Sequence, residues 1–144
     1  YEGAVAIARR CLRARCPVPY ALSPLGLGLA KLGRYDEAEQ SLREMRRLLP
    51  HRHEPLLCLA DVASERKRCQ EALDLILEAL RLLPEQSEDA TYAFALLERI
   101  AWQPGFAEAA LQVANTARPW ILSMPTVRER IDRVVRQMGG SRKA

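Results

Sequence analysis

A spacing of 34 residues constrains the fold of this chain more than any other feature. Arg34-Tyr35-Asp36-Glu37-Ala38 returns as Arg68-Cys69-Gln70-Glu71-Ala72, 34 residues on. The step back to Tyr1-Glu2-Gly3-Ala4 is again 34, and the step forward to Gly105-Phe106-Ala107-Glu108-Ala109 is 37. Leu48-Leu49-Pro50 and Leu82-Leu83-Pro84 keep the same interval, and Cys16-Pro17 reads as the earlier counterpart, one residue out of step. Leu25-Gly26 matches Leu59-Ala60, and Met45 matches Ala79. Ala4, Ala38, Ala72 and Ala109 therefore read as equivalent positions in successive units.

Each unit reads as two helices. In the first complete one, Ser23 is expected to cap a helix with Pro24 at its first position, where a missing N–H is harmless. Gly33 ends that helix in the left-handed conformation only glycine adopts freely. A second helix runs from about Asp36 to Leu48 and stops before Pro50. Its face Ala38, Leu42, Met45 and Leu49 repeats at helical spacing. The next pair is about Pro55–Arg66 and Gln70–Leu82, and the third about Glu88–Trp102 and Ala107–Ala117. A three-residue insertion is placed near Glu85–Asp89. The alanines let paired helices approach closely, and Tyr35 and Phe106 fill the space beside them. One such hairpin leaves a face uncovered, so neighbours must stack.

This pattern resembles the tetratricopeptide repeat. The first unit carries it at Leu22, Leu25, Gly26, Leu29, Gly33, Tyr35, Ala38, Leu42, Met45 and Pro50. The second matches at Leu56, Leu59, Ala60, Ala72, Ile76, Ala79 and Pro84, and departs at Lys67 and Cys69, where the family favours Gly and Tyr. The third matches at Ala93, Leu96, Leu97, Phe106 and Ala109 but lacks the closing proline. The resemblance implies an all-α, right-handed solenoid. It gives a half-repeat at 1–18, repeats at about 19–52, 53–86 and 87–118, a connector and capping helix at 119–140, and a disordered tail at 141–144.

In the C-terminal part, Thr126 and Glu129 read as a capping box. Val127, Ile131, Val134, Val135 and Met138 form one apolar stripe and Gly139-Gly140 the stop, while Arg128, Arg130, Arg133 and Arg136 read as a solvated back, with contact to an anionic partner or membrane surface as the alternative. The opening residues read as the interior of a unit, so a longer parent chain is expected. The half-repeat also offers a route to self-association through uncovered apolar surface.

Composition agrees with a helical protein. Of 144 residues, 49% are hydrophobic, enough for a core, and only 6% are aromatic. The net charge is +4, but residues 1–15 carry +3, residues 118–144 carry +5, and the body between carries −4. A basic body is what nucleic-acid binding requires, so that class is disfavoured. No stretch is long and apolar enough for a membrane span.

Residues for catalysis are sparse. Cys11, Cys16, Cys58 and Cys69 form no C-x-x-C pair and read as small apolar filler in a reducing, cytoplasmic setting. His51 and His53 alternate on a turn with Glu54 beside them and no third ligand near in sequence, so no metal site is assigned. Gly26-Leu27-Gly28 lacks the strand and lysine of a phosphate loop. No enzyme activity and no cofactor are expected.

The resemblance instead implies a protein-binding groove lined by the first helices of the units. Its register places Tyr20, Ser23, Leu27 and Lys31 there, then Glu54, Leu57, Asp61, Ser64 and Glu65, then Thr91, Phe94, Glu98 and Trp102. The family's clamp for C-terminal carboxylates is absent, because its positions hold Ser23, Leu27, Cys58 and Asp61. An acidic groove with apolar footholds implies a basic, partly apolar peptide or helix as partner. The same carboxylates also read as a solvated face, with Trp102 as packed core. A chaperone for a secreted or assembly partner, and a substrate-presenting accessory domain of an enzyme, stand beside the scaffold reading.

Overall fold

The computed structural model describes the backbone of residues 2–13 and 18–143. Cys16-Pro17, Ala144 and the side chains of Ala4 and Cys11 lie outside the described residues. Every regular element among those described is helical. They are α1 (Glu2–Arg13), α2 (Val18–Lys31), α3 (Tyr35–Leu48), α4 (Glu54–Glu65), α5 (Cys69–Leu82), α6 (Asp89–Ala101), α7 (Ala107–Asn115), α8 (Pro119–Leu122) and α9 (Pro125–Lys143). No helix among them is long and apolar enough to cross a membrane.

Helices α2 and α3, α4 and α5, and α6 and α7 pack as hairpins. The leading helices also stack on each other: α4 on α2, α6 on α4, and α9 on α6. Helix α1 covers α2 from the other side. The three hairpin turns share one backbone device, a left-handed residue: Gly33 at φ 79°, Lys67 at φ 62° and Gly105 at φ 84°. Glycine adopts this conformation freely, whereas at Lys67 it is strained.

Helix α4 is central to the core. Its residues Cys58, Leu59 and Val62 pack with Leu22, Leu25, Leu29, Ala38, Leu42 and Met45 of the first hairpin. Its residues Leu56, Leu57, Ala60 and Ala63 face the other way, into the cluster that runs through α5, α6, α7 and α9. One short helix therefore holds two units together.

Several helix ends differ from the sequence expectation. Helix α2 begins at Val18 and runs through Pro24, so Ser23 is no cap. Its Oγ lies 3.4 Å from Cys58 Sγ instead. Proline at 19 fits the first turn, and Pro24 leaves one backbone carbonyl of that helix without its usual donor. Helix α9 starts at Pro125, which puts Thr126 inside the first turn rather than at the cap. Met124 supplies the carbonyl that accepts from Val127 and Arg128. The helix also passes through Gly139-Gly140 to Lys143, where a stop and a disordered tail were expected.

The extra length of the third unit lies elsewhere too. The α5–α6 loop spans residues 83–88 against 49–53 for its predecessor, while the α6–α7 turn spans 102–106 against 66–68. Half of the extra length is thus in the Pro104-Gly105 turn, with one residue more in the preceding loop and one more in α6, which has 13 residues against 12 in α4. In consequence Ala110, not Ala109, takes the fully buried place of Ala38 and Ala72.

Candidate partner-binding surface

Helices α2, α4, α6 and α9 bring most of the expected site residues to one side, but change what they can do. Side chains one unit apart bond to each other across this row. Lys31 Nζ meets Glu65 Oε1 at 2.7 Å. Asp61 accepts from Arg99 Nη2 and from the Tyr92 hydroxyl, each at 2.5 Å. Arg99 also donates to Ser64 Oγ at 2.6 Å. Glu98 accepts from Arg130 at 3.1 Å and Arg133 at 3.0 Å. The Thr91 and Thr126 hydroxyls lie 3.0 Å apart. The pairs Ser23–Cys58, Lys31–Glu65, Ser64–Arg99, Thr91–Thr126 and Glu98–Arg133 are separated by 34 or 35 residues, so the sequence period reappears as tertiary bonding.

The acidic character expected of this face is largely cancelled. Asp61, Glu65 and Glu98 each carry a cationic partner from a neighbouring leading helix, and Glu54 is held by Arg52. Two expected apolar footholds are core: Leu57 is 1% and Phe94 is 2% exposed. Both belong to the apolar cluster shared by α4, α5, α6, α7 and α9, which the repeat register alone does not reveal. Leu27 is half-buried against the first cluster. Trp102, by contrast, is 42% exposed and is not packed core.

The arginine-bearing helix is also not a plain solvated back. Arg130 and Arg133 turn onto Glu98, while Arg128 and Arg136 stay exposed. Of its apolar stripe, Val127 and Val134 are buried and Val135 is exposed.

Two clefts open at the C-terminal ends of the leading helices. One, of about 410 Å³, is lined by residues including Lys31, Tyr35, Ser64, Glu65, Lys67 and Arg99. The other, of about 320 Å³, lies between α6 and α9 and is lined by residues including Trp102, Pro104, Ala107, Val134 and Met138. Gln103 belongs to both.

The remaining polar clusters act as joints. His53 is buried, and its Nε2 meets Asp89 Oδ2 at 2.6 Å while Nδ1 lies 3.7 Å from Glu54 Oε2. Asp89 supplies the third group that the sequence near His53 lacks. Among the described residues these are the ones that could hold a metal ion. The carboxylates approach different ring nitrogens, and both sit at helix N-termini, where the positive dipole end favours an anion and opposes a cation. The cluster is better suited to latching α4 to α6. Glu39 is a second joint, buried on α3 and held by Arg43, Arg66 and Arg68. Arg66 stacks over Tyr35 at 5.6 Å. Those contacts do not follow the repeat period. The sequence signal for them is a carboxylate directly beside the core residue Ala38.

Cys58 and Cys69 are buried and unpaired. Burial pushes the Cys58 thiol up to about 11, and the charges of Asp61 and Asp89 push in the same direction. Thiolate is the reactive form. Iodoacetamide at neutral pH should therefore leave Cys58 unlabelled in the folded chain and alkylate it in denaturant, as read by peptide mass mapping. Rapid native alkylation at Cys58 would contradict its placement.

No family model, curated protein or solved structure matches this chain.

Proposed function

We propose that the chain is a protein-interaction scaffold of the tetratricopeptide type. In this reading it is a right-handed α-solenoid whose groove is formed by α2, α4, α6 and α9 and receives a segment of another protein. The observation that carries the reading is the ladder of contacts 34 or 35 residues apart along the leading helices. Bonds at one-unit spacing are what stacked repeats produce, and stacking leaves an extended surface ready-formed for a partner. A preformed surface lowers the ordering cost of binding. The buried thiols Cys58 and Cys69 suit a reducing compartment such as the cytoplasm.

The paired state of Asp61, Glu65 and Glu98 alters the expected ligand. These carboxylates brace the scaffold, so a basic segment gains little from them. Exposed Trp102 is the apolar anchor in this reading.

The test is site-specific photo-crosslinking in lysate of the source cells. A photoreactive amino acid at Tyr20, exposed on α2, or at Trp102, exposed at the C-cap of α6, is compared with one at Gln40 or Glu71, exposed on trailing helices. Discrete adducts are expected from Tyr20 and Trp102 and not from Gln40 or Glu71. Adducts confined to Gln40 and Glu71 would overturn the assignment of the face.

A further inference from the structure

We infer that the two clefts joined at Gln103 form one trough for an acidic segment of a partner protein, with a carboxylate at Lys67 and a large apolar side chain against Trp102. This inference rests on the scaffold role proposed above and specifies its ligand.

Lys67 holds the left-handed turn position at φ 62°, where the other two hairpins use Gly33 and Gly105. A side chain in that conformation is strained, and such strain persists at functional positions more often than elsewhere. Lys67 lines the larger cleft. The other charges there are committed: Lys31 meets Glu65 and Arg99 meets Asp61. Lys67 has no ion-pair partner among the described residues. The trough therefore keeps one cation for a ligand, with Gln103 lining the same cleft, while the Ser64 hydroxyl is already held by Arg99 and the Asp61 carbonyl.

The neighbouring cleft provides the apolar half. Trp102 is 42% exposed at the C-cap of α6, and half-buried Met138 of α9 lines the same cleft. Apolar burial here supplies affinity, and the cation selects acidic over basic segments. This is the opposite sign from the partner that the uncancelled carboxylates of the sequence suggest. The trough also lies at the helix ends, and Ser23, Leu27, Cys58 and Asp61 line neither of its two clefts.

The experiment uses fluorescein-labelled, C-terminally amidated peptides carrying Leu beside a run of Glu, of Gln or of Lys. Polarisation titrations are run with the wild-type chain, Lys67→Gly and Trp102→Ala. The Glu peptide should bind tightest, with affinity about fivefold lower in Lys67→Gly, the size of one exposed charge contact. Trp102→Ala should lower it further. Lys67→Gly relieves the turn, so it should melt no lower than wild type, which separates lost binding from lost folding. Three results would overturn the inference: full retention of Glu-peptide binding by Lys67→Gly, preference for the Lys peptide, or no binding of any peptide to wild type. Crosslinking at Trp102 together with any of these would leave the scaffold reading standing and remove only the acidic ligand.

Discussion

Glu98→Lys should release α9 from the rest of the protein. Glu98 is the carboxylate on which Arg130 and Arg133 converge, and its side chain is only 13% exposed. A lysine there sets three cations against one another in a partly dry site. Breaking a buried pair so that a charge is left uncompensated costs about 3–5 kcal/mol. For a chain of this size that lowers the melting temperature by roughly 10 °C. Hydrogen exchange localises the effect. Amides of α8 and α9 should lose protection, while α2 and α3, which belong to the other apolar cluster, keep theirs. Adding Arg133→Glu should restore part of the loss by re-pairing the charges. Unchanged protection in α9 after Glu98→Lys would mean that apolar packing at Val127 and Val134 holds the helix unaided. The same result bears on function, because charge reversal at Asp61 or Glu98 removes braces of the scaffold before it removes any ligand contact.

The second large effect is expected where α2 crosses α3. A Cβ built on Gly26 meets Leu42 Cγ at 2.6 Å and Cδ2 at 2.7 Å. Those atoms belong to a fully buried leucine, so they have nowhere to go. Gly26→Ala should cost about 1–3 kcal/mol from overpacking, reduced by the better helix propensity of alanine. Leu42→Ala should cost about 2–5 kcal/mol through the cavity it leaves. The double variant should cost less than the sum, by about 1 kcal/mol or more, because the new methyl enters the vacated space. Denaturant melts of the four proteins measure this directly. Strict additivity would show that the helices move apart instead. One unit later, Ala60 and Ile76 hold the equivalent places and are both buried, so that crossing accommodates a methyl where the first one does not.

Some parts of the architecture were legible from single residues. The left-handed turn at Gly33, the stop of α3 before Pro50 and the buried stripe Ala38, Leu42 and Met45 depend on contacts within one turn of chain. Local sterics and amphipathic spacing specify them wherever the segment is placed. Ser23 misled because a serine before a proline has the local chemistry of a cap, and only the preceding helical turn shows that the helix has already begun. Gly139-Gly140 misled for a related reason: glycine permits a stop but does not impose one. In the candidate site, the row of leading helices was readable from the register, whereas the register left Trp102 open between foothold and core and did not show the burial of Leu57 and Phe94.

The sequence by itself determined the period, the helical class, the pairing of helices into hairpins and most helix boundaries, because those follow from interactions a few residues apart and from a repeat visible in the letters. Only the tertiary structure decided what the charged and aromatic side chains face. The longer Pro104-Gly105 turn shifts α7 so that Ala110 replaces Ala109 in the core. Asp61, Glu65 and Glu98 become braces because a cation stands one unit away on the adjoining helix. His53 acquires Asp89 in the same way, across the stack. A carboxylate has the same identity in solvent, in an ion pair or in a ligand site, and its role is set by the group that stacking brings within hydrogen-bonding distance.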